Sequence, residues 1–435
     1  MSTLYERDEA SIAGIEKLRF FPLEVVSGHG STLVTPDGRE LLDLSATWTA
    51  SGLGHGHPAV VEAVSRAVRT APGAGGLSAV HPDSVGLAED LLALVPGTGE
   101  RRVYLGHAGS DACDVALRAC RHATGKRMVV AFEHSYHGGV GVAMGVSGVH
   151  VDAGATPDAD VVFLPYPNPF RPAGGDVDAD VAACLDLAET HLSTGSVACL
   201  IVEPILSDGG LVVPPDGFLA HLHERCRAHG VPMICDEVKM GLGRPGTMHA
   251  FEHDGVVPDI VAFGKVLGGG LSLSAAVGPA EILDEPPAAA LLTTAGNPVC
   301  TAAGRAVLAT IVADRLAEHA AKVGAALADA LRGLAGSPGA DRIGEVRGRG
   351  LAIGLELVDP QTGDRNPRFA AQVVYRAWEL GAVVFYVGGN VLEITPPLVL
   401  TEDEAARAAA IIGDAIADVA AGNVDAEEVA RYAGW

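Results

Sequence analysis

No uninterrupted apolar run in this 435-residue chain reaches the roughly 18 uncharged residues that a membrane-crossing helix requires. A membrane partner is therefore not expected. Basic residues are also scarce: 30 Lys and Arg stand against 54 Asp and Glu, for a formal net charge of −24. Such a surface repels phosphodiester backbones and anionic lipids, so nucleic acid is not an expected partner. The charge serves mainly solubility. The seven cysteines (113, 120, 184, 199, 226, 235 and 300) are odd in number and form no CxxC pair. That pattern reads as reduced thiols in a cytoplasmic protein, with neither a disulfide frame nor a metal site. The N-terminal stretch MSTLYERDEASIAG lacks the basic start and apolar core of a signal peptide. Repeats and low-complexity linkers are missing too.

What is present is core-forming material. Hydrophobic residues make up 48% of the chain, enough for two or three packed domains. Residues 1–55 contain GSTLVTPDGRELLDLS, whose PDG turn between two strand-like runs predicts a β-hairpin. Residues 56–297 alternate helical patterns with short apolar runs: RVYLG (102–106), MVVAF (128–132), ACLIVEP (198–204), PMICDEV (232–238) and DIVAFG (259–264). Runs of this kind predict an α/β fold with a mostly parallel sheet buried on both faces. Residues 298–336 turn alanine-rich and read as a long connecting helix. Residues 337–435 read as a small α/β domain, completed by the N-terminal segment.

Several apolar runs end in polar residues, where open α/β sheets bind ligands. One run delivers Lys265, preceded by Gly264 and followed by Gly268, Gly269 and Gly270. Alone, such a lysine reads as a snorkelling cation; in a cleft it reads as an activated amine. The run before it delivers Asp236. Pyridoxal 5'-phosphate (PLP) enzymes need this pair, a lysine for the cofactor aldehyde and a carboxylate for the pyridinium nitrogen. A buried aspartate also serves as a helix cap or in a structural ion pair. In LGHAGSDACDVALRACRHATG (105–125), Gly109 and Ser110 open an amphipathic helix carrying Ala112, Ala116, Ala119 and Cys120. Helix-start N–H groups and a serine hydroxyl suit a phosphate, although Gly-Ser is also an ordinary N-cap. In FEHSYHGG (132–139), Tyr136 can stack on a cofactor ring or simply pack. His137 reads as a hydrogen-bonded histidine.

Taken in order, these segments resemble the class III aminotransferases, PLP-dependent enzymes of fold type I that include the ornithine and ω-amino acid aminotransferases. The resemblance covers nearly the whole chain. It runs from LGHGHPAVVEAV (53–64) through GSDA, YHG, EPI (203–205), DEVKMGLGRPG (236–246) and PDIVAFGKVLGGG (258–270) to TTAGNP (293–298), VRGRGL (346–351) and TPPLVLTEDE (395–404). It implies that Lys265 holds PLP and moves the proton in a 1,3-shift, and that Asp236 pairs with the ring nitrogen. It implies further that Val238 and Tyr136 sandwich the ring, that Gly109 and Ser110 bind the phosphate, and that Glu203 lies near the phenolic edge. Thr293 would reach the phosphate from a neighbouring subunit, so the resemblance implies a homodimer with shared active sites.

One departure bears on substrate. Many members of the family read LRIxPPL where this chain reads VLEITPPL, so Glu393 replaces an arginine that grips the substrate carboxylate. Strand alternation places Val391, Glu393 and Thr395 on one face. A carboxylate there favours a cationic, amine-bearing oxo acceptor, such as an aminoglycoside-type oxo-sugar or a polyamine. The alternative is that Glu393 turns to solvent or pairs with Arg244 or Arg349. Lys239, directly after DEV, is open between binding a donor carboxylate and forming a surface pair. Trp48 is open between lining the substrate pocket and ordinary core packing. The expected activity is transamination between an amino-acid donor and such an acceptor. An ω-amino acid or polyamine transaminase, an epimerase or aminomutase on the same scaffold, and a non-catalytic binding or scaffold relative are the alternatives.

Overall fold

The computed structural model describes residues 3–70 and 76–432. Near the N-terminus, β1 (Ser27–His29), β2 (Thr32–Val34) and β3 (Glu40–Asp43) form an antiparallel meander. The PDG turn joins β2 to β3, as expected, and Gly38 takes the left-handed φ of +85° that the turn needs.

The central sheet contains β4 (Arg101–Gly106), β5 (Met128–Phe132), β6 (Val161–Leu164), β7 (Val197–Val202), β8 (Met233–Asp236), β9 (Ile260–Phe263) and β10 (Ser274–Pro279). Their order across the sheet is β4-β10-β9-β8-β7-β5-β6. Neighbouring strands from β9 to β6 are parallel, whereas β10 runs antiparallel to both β4 and β9. Every residue of β7, β8 and β9 is buried, which is why these strands read as unbroken apolar runs rather than alternating ones. All five expected strands are present, and the fold is the expected mixed α/β architecture. β6 and β10 were not anticipated; the SAAVGP of β10 is built from small residues that make no distinct hydrophobic run.

The third sheet has the order β11-β12-β15-β14, from β11 (Ile343–Arg349), β12 (Ala352–Leu357), β14 (Phe385–Val387) and β15 (Val391–Ile394). The short β13 (Ala382–Val383) instead joins β3 in parallel, so the two ends of the chain share one sheet. The single connecting helix expected over 298–336 is corrected to two, Pro298–Ala313 and Leu316–Arg332. They break at Asp314 and Arg315, where Arg315 has a φ of +51°.

An unusual turn follows β3. Ala46, Thr47, Trp48 and Thr49 have φ values of +49°, +55°, +54° and +71°, one turn of left-handed helix made without glycine. Thr49 N–H donates to Ser45 O and Ser51 N–H to Ala46 O, each at 2.8 Å. Asp43 caps the start, its Oδ1 accepting from Ser45 and Ala46 N–H at 2.9 Å.

Candidate active site

The carboxyl ends of β4, β7, β8 and β9 converge on one cleft of about 310 Å³. Gly109, Ser110, Tyr136, Glu203, Asp236, Val238 and Lys265 all line it. Thr293, Trp48 and Glu393 are not in its wall.

Lys265 follows β9 through Gly264 and has a φ of +44°, a conformation that costs a lysine about 1 kcal/mol or more. Burial, and then the nearby Lys239, push its amine below the ordinary lysine range. Among the described residues the side chain has no hydrogen-bond or ion-pair partner. Gly264 explains part of the glycine setting, because a Cβ there would lie 3.1 Å from the Gly109 backbone and from Val238. Gly269 and Gly270 serve the turn instead, with φ values of +57° and +94°.

Asp236 ends β8. Its Oδ2 lies 2.8 Å from His137 Nδ1 and accepts from Cys113 Sγ at 3.4 Å, while Oδ1 accepts from Val238 N–H at 3.0 Å. The YHG signal therefore marks two residues of the cleft, Tyr136 and the buried His137. Glu203 anchors the neighbouring loops. Its Oε1 accepts from Tyr136 N–H at 2.9 Å, and its Oε2 accepts from Ser207 Oγ at 2.6 Å and Ser207 N–H at 3.1 Å. Burial pushes the Glu203 carboxyl up to about 7.

Gly109 and Ser110 begin the helix Gly109–Thr124, whose buried face carries Ala112, Cys113, Ala116, Leu117 and Cys120. The first N–H groups of a helix have no intrahelical acceptor, and here they open on the cleft. Asp111 Oδ2 accepts from His107 and Ala108 N–H at 2.8 and 3.0 Å, which explains an acidic residue in this turn. At Gly109 a Cβ would come within 2.4 Å of Val238 Cγ1. Thr293 is exposed, while its neighbour Thr294 meets His107 at 2.9 Å.

Glu393 lies on β15 and is only 2% exposed. Its partner is Lys239, Nζ to Oε1 2.8 Å, rather than solvent, Arg244 or Arg349. The contact is an ion pair rather than an aligned hydrogen bond. Arg244 donates to the carbonyls of Leu351 and Pro396, and Arg349 pairs with Asp216. Lys239 also binds Asp208 Oδ1 at 2.7 Å and lies 5.1 Å from the Trp48 ring, which stacks on Phe385. The expectation that Glu393 meets substrate directly is thus corrected: Lys239 and Asp208 line the cleft in its place. Burial opposes the Lys239 ammonium, yet Asp208 and Glu393 hold it above the lysine range. Burial likewise opposes the Asp208 carboxylate, and Lys239 and Lys265 outweigh it, keeping Asp208 below the ordinary range. Burial leaves Glu393 raised. Sequence reading missed Asp208, although the SDGG that follows EPI was there to be read.

These residues fit PLP. An unpartnered amine faces the cleft, a buried carboxylate is fixed by an imidazole, and helix-start N–H groups sit beside a glycine that a Cβ would obstruct. The family model for aminotransferase class-III matches residues 15–416. Isoleucine 2-epimerase of Lentilactobacillus buchneri is 33% identical over 100% of this chain and 98% of its own. Acetylornithine aminotransferase of Mycolicibacterium smegmatis is 38% identical over 88% and 90%. Among solved structures, ornithine aminotransferase from Toxoplasma gondii, with PLP at partial occupancy in its active site, has a TM-score of 0.83 and 26% identity. The match covers 95% of this chain and 94% of that one. The chain belongs to the class III aminotransferases. Within that class it is a PLP-dependent aminotransferase.

Proposed function

We propose that this enzyme transfers an amino group from an amino-acid donor to an aldehyde or ketone acceptor that carries at least one further ammonium group. The supporting observation is the charge beside the cleft: Lys239 and Asp208 line it, and Glu393 behind them shares the Lys239 ammonium, so two carboxylates stand against that one ammonium. Among the described residues no arginine lines the cleft. A second carboxylate on the substrate would be repelled there, by on the order of 1–4 kcal/mol in partly wet surroundings. Aminoglycoside-type oxo-sugars and oxidised polyamines meet the requirement.

When bound, PLP supplies an aldehyde for amine condensation and a ring that accepts electrons from the substrate carbon. Lys265 would hold it covalently, then take the proton from the substrate carbon and return it at the cofactor carbon. Its lowered basicity suits that task near neutral pH. Asp236, fixed by His137, would hold the ring nitrogen protonated. Val238 and Tyr136 would pack on the two ring faces, and Gly109 and Ser110 would hold the phosphate. Glu203 would keep Tyr136 and the Ser207 turn in register through its three hydrogen bonds. Thr293, exposed in one chain, fits a role in a neighbouring subunit of a homodimer. Among the described residues no helix is long and apolar enough to cross a membrane; a cytoplasmic location is proposed from the free cysteines.

Epimerisation of an amino acid is the second reading. The full-length similarity to isoleucine 2-epimerase favours it. Incubating the PLP-loaded enzyme with amino donor alone separates the two. Transamination carries the cofactor absorbance over to that of pyridoxamine phosphate, whereas epimerisation leaves it in place and exchanges the substrate α-hydrogen for solvent deuterium.

A further inference from the structure

Asp208 contributes to the walls of two cavities. It lines the active cleft and also a second cleft of about 220 Å³ formed with His134, Val149, Asp152, Arg365, Gly388 and Gly389. The side chain is nine-tenths buried, with 8% exposure. Oδ1 accepts from Lys239, while Oδ2 has no hydrogen-bond partner among the described residues.

The turn that carries Asp208 is gripped from the C-terminal sheet. Arg347 Nη2 donates to Gly210 O at 2.5 Å and its Nε to Leu211 O at 2.9 Å. Gly388 N–H donates to Asp208 O at 3.0 Å. On the other side, Ser207 is tied to Glu203. The carboxylate is therefore held in place before any ligand arrives, so little ordering cost falls on binding.

Other charges at this point are already engaged. Lys239 is shared with Glu393. In the second cleft, His134 and Asp152 pair at 2.6 Å, and Arg365 Nη1 donates to Gly388 O at 2.6 Å. We infer that Asp208 is the specificity-determining residue of this enzyme, its open Oδ2 receiving an ammonium of the substrate other than the reacting amine. The inference rests on the amine-bearing acceptor proposed above and gives it a residue.

The test compares linear diamines of three to six carbons with monoamines of the same lengths, binding to the PLP-loaded enzyme by calorimetry. The wild type is expected to bind at least one diamine about tenfold or more tightly than its matched monoamine. Asp208→Asn should bring that ratio near one by weakening the diamine more than the matched monoamine. Asp208→Glu should restore part of it. A wild-type ratio near one at every length overturns the inference and needs no variant. An equal loss for both amines in Asp208→Asn also overturns it, since that reports a positioning or proton-transfer role. Cofactor absorbance, recorded in the same samples, reports transamination separately. A diamine preference without cofactor conversion would sink the transaminase reading and leave Asp208 as the ammonium site.

Discussion

Lys239 and Glu393 lie 2.8 Å apart across the boundary between the loops of the central sheet and the C-terminal sheet, both almost fully buried. Breaking a buried pair strands a charge, whereas replacing all its members together can be neutral. Lys239→Met should therefore destabilise the protein by about 3–5 kcal/mol, since it leaves Asp208 and Glu393 facing each other. Adding Glu393→Leu should recover part of the loss. Denaturant unfolding measures both; a Lys239→Met variant as stable as wild type contradicts the triad.

Glu393→Arg alone would set a guanidinium against Lys239 and should fold poorly. Combined with Lys239→Gln, it should bring a cation towards the cleft. The double variant is expected to gain activity towards substrates with an added carboxylate and to lose it towards amine-bearing acceptors. Steady-state kcat/KM over paired substrates measures the switch, and unchanged preference rejects the charge argument.

We propose that Lys265 supplies the amine for the cofactor. Borohydride reduction followed by peptide mass analysis should place the pyridoxyl group on Lys265. Lys265→Ala should lower turnover by at least about 10²–10⁴-fold, the usual contribution of a proton-transfer group. A pyridoxyl group on Lys239 instead would overturn the site.

The fold, and the gathering of Asp236 and Lys265 in one cleft, were largely legible in the sequence, because they depend on signals local to it. Buried strands read as apolar runs, and their last polar residues, Asp236 and Lys265, fall at the sheet's carboxyl end. The substrate side was less legible because its geometry is non-local. Nothing near Glu393 in sequence announces a lysine 154 positions earlier as its partner. YHG and SDGG mark His137 and Asp208 as residues, but their partners Asp236 and Lys239 are distant in sequence and no local pattern announces them. The missed break at Asp314–Arg315 follows from helix propensity, which an alanine-rich run satisfies on both sides of a left-handed residue.

Glycine 109 offers a test of packing against the cofactor. Gly109→Ala should weaken PLP retention about tenfold or more, because the new methyl would collide with Val238. Val238→Ala in the same chain should restore much of it by clearing the space. Dialysis followed by cofactor quantitation measures retention. If the second substitution gives no recovery, the close approach is not the cause.

Glu237 is buried and accepts from Ala250 and Phe251 N–H at 3.0 Å, and burial raises its carboxyl from 4.5 to about 8. The folded protein thus keeps this proton up to about pH 8, whereas the unfolded chain releases it near pH 4.5. Its contribution to stability is complete below that lower value and declines as pH rises through the upper one, by on the order of 4 kcal/mol. Glu237→Gln should flatten the pH dependence of the melting temperature between about pH 5 and 8. A variant curve parallel to wild type would show that the carboxyl is not protonated.

The mirror-handed turn at 46–49 has an energetic consequence. Each non-glycine residue there bears a load of about 1–2 kcal/mol, and the chain carries it at four successive positions. Thr47 is the exposed one, its Oγ1 accepting only from Ser51 Oγ at 3.3 Å, so glycine at that site relieves strain for the loss of that one bond and leaves the indole beside Lys239 in place. The sequence has kept a tensed spring beneath its tryptophan, and position 47 is where it can be slackened while the ring stays in place.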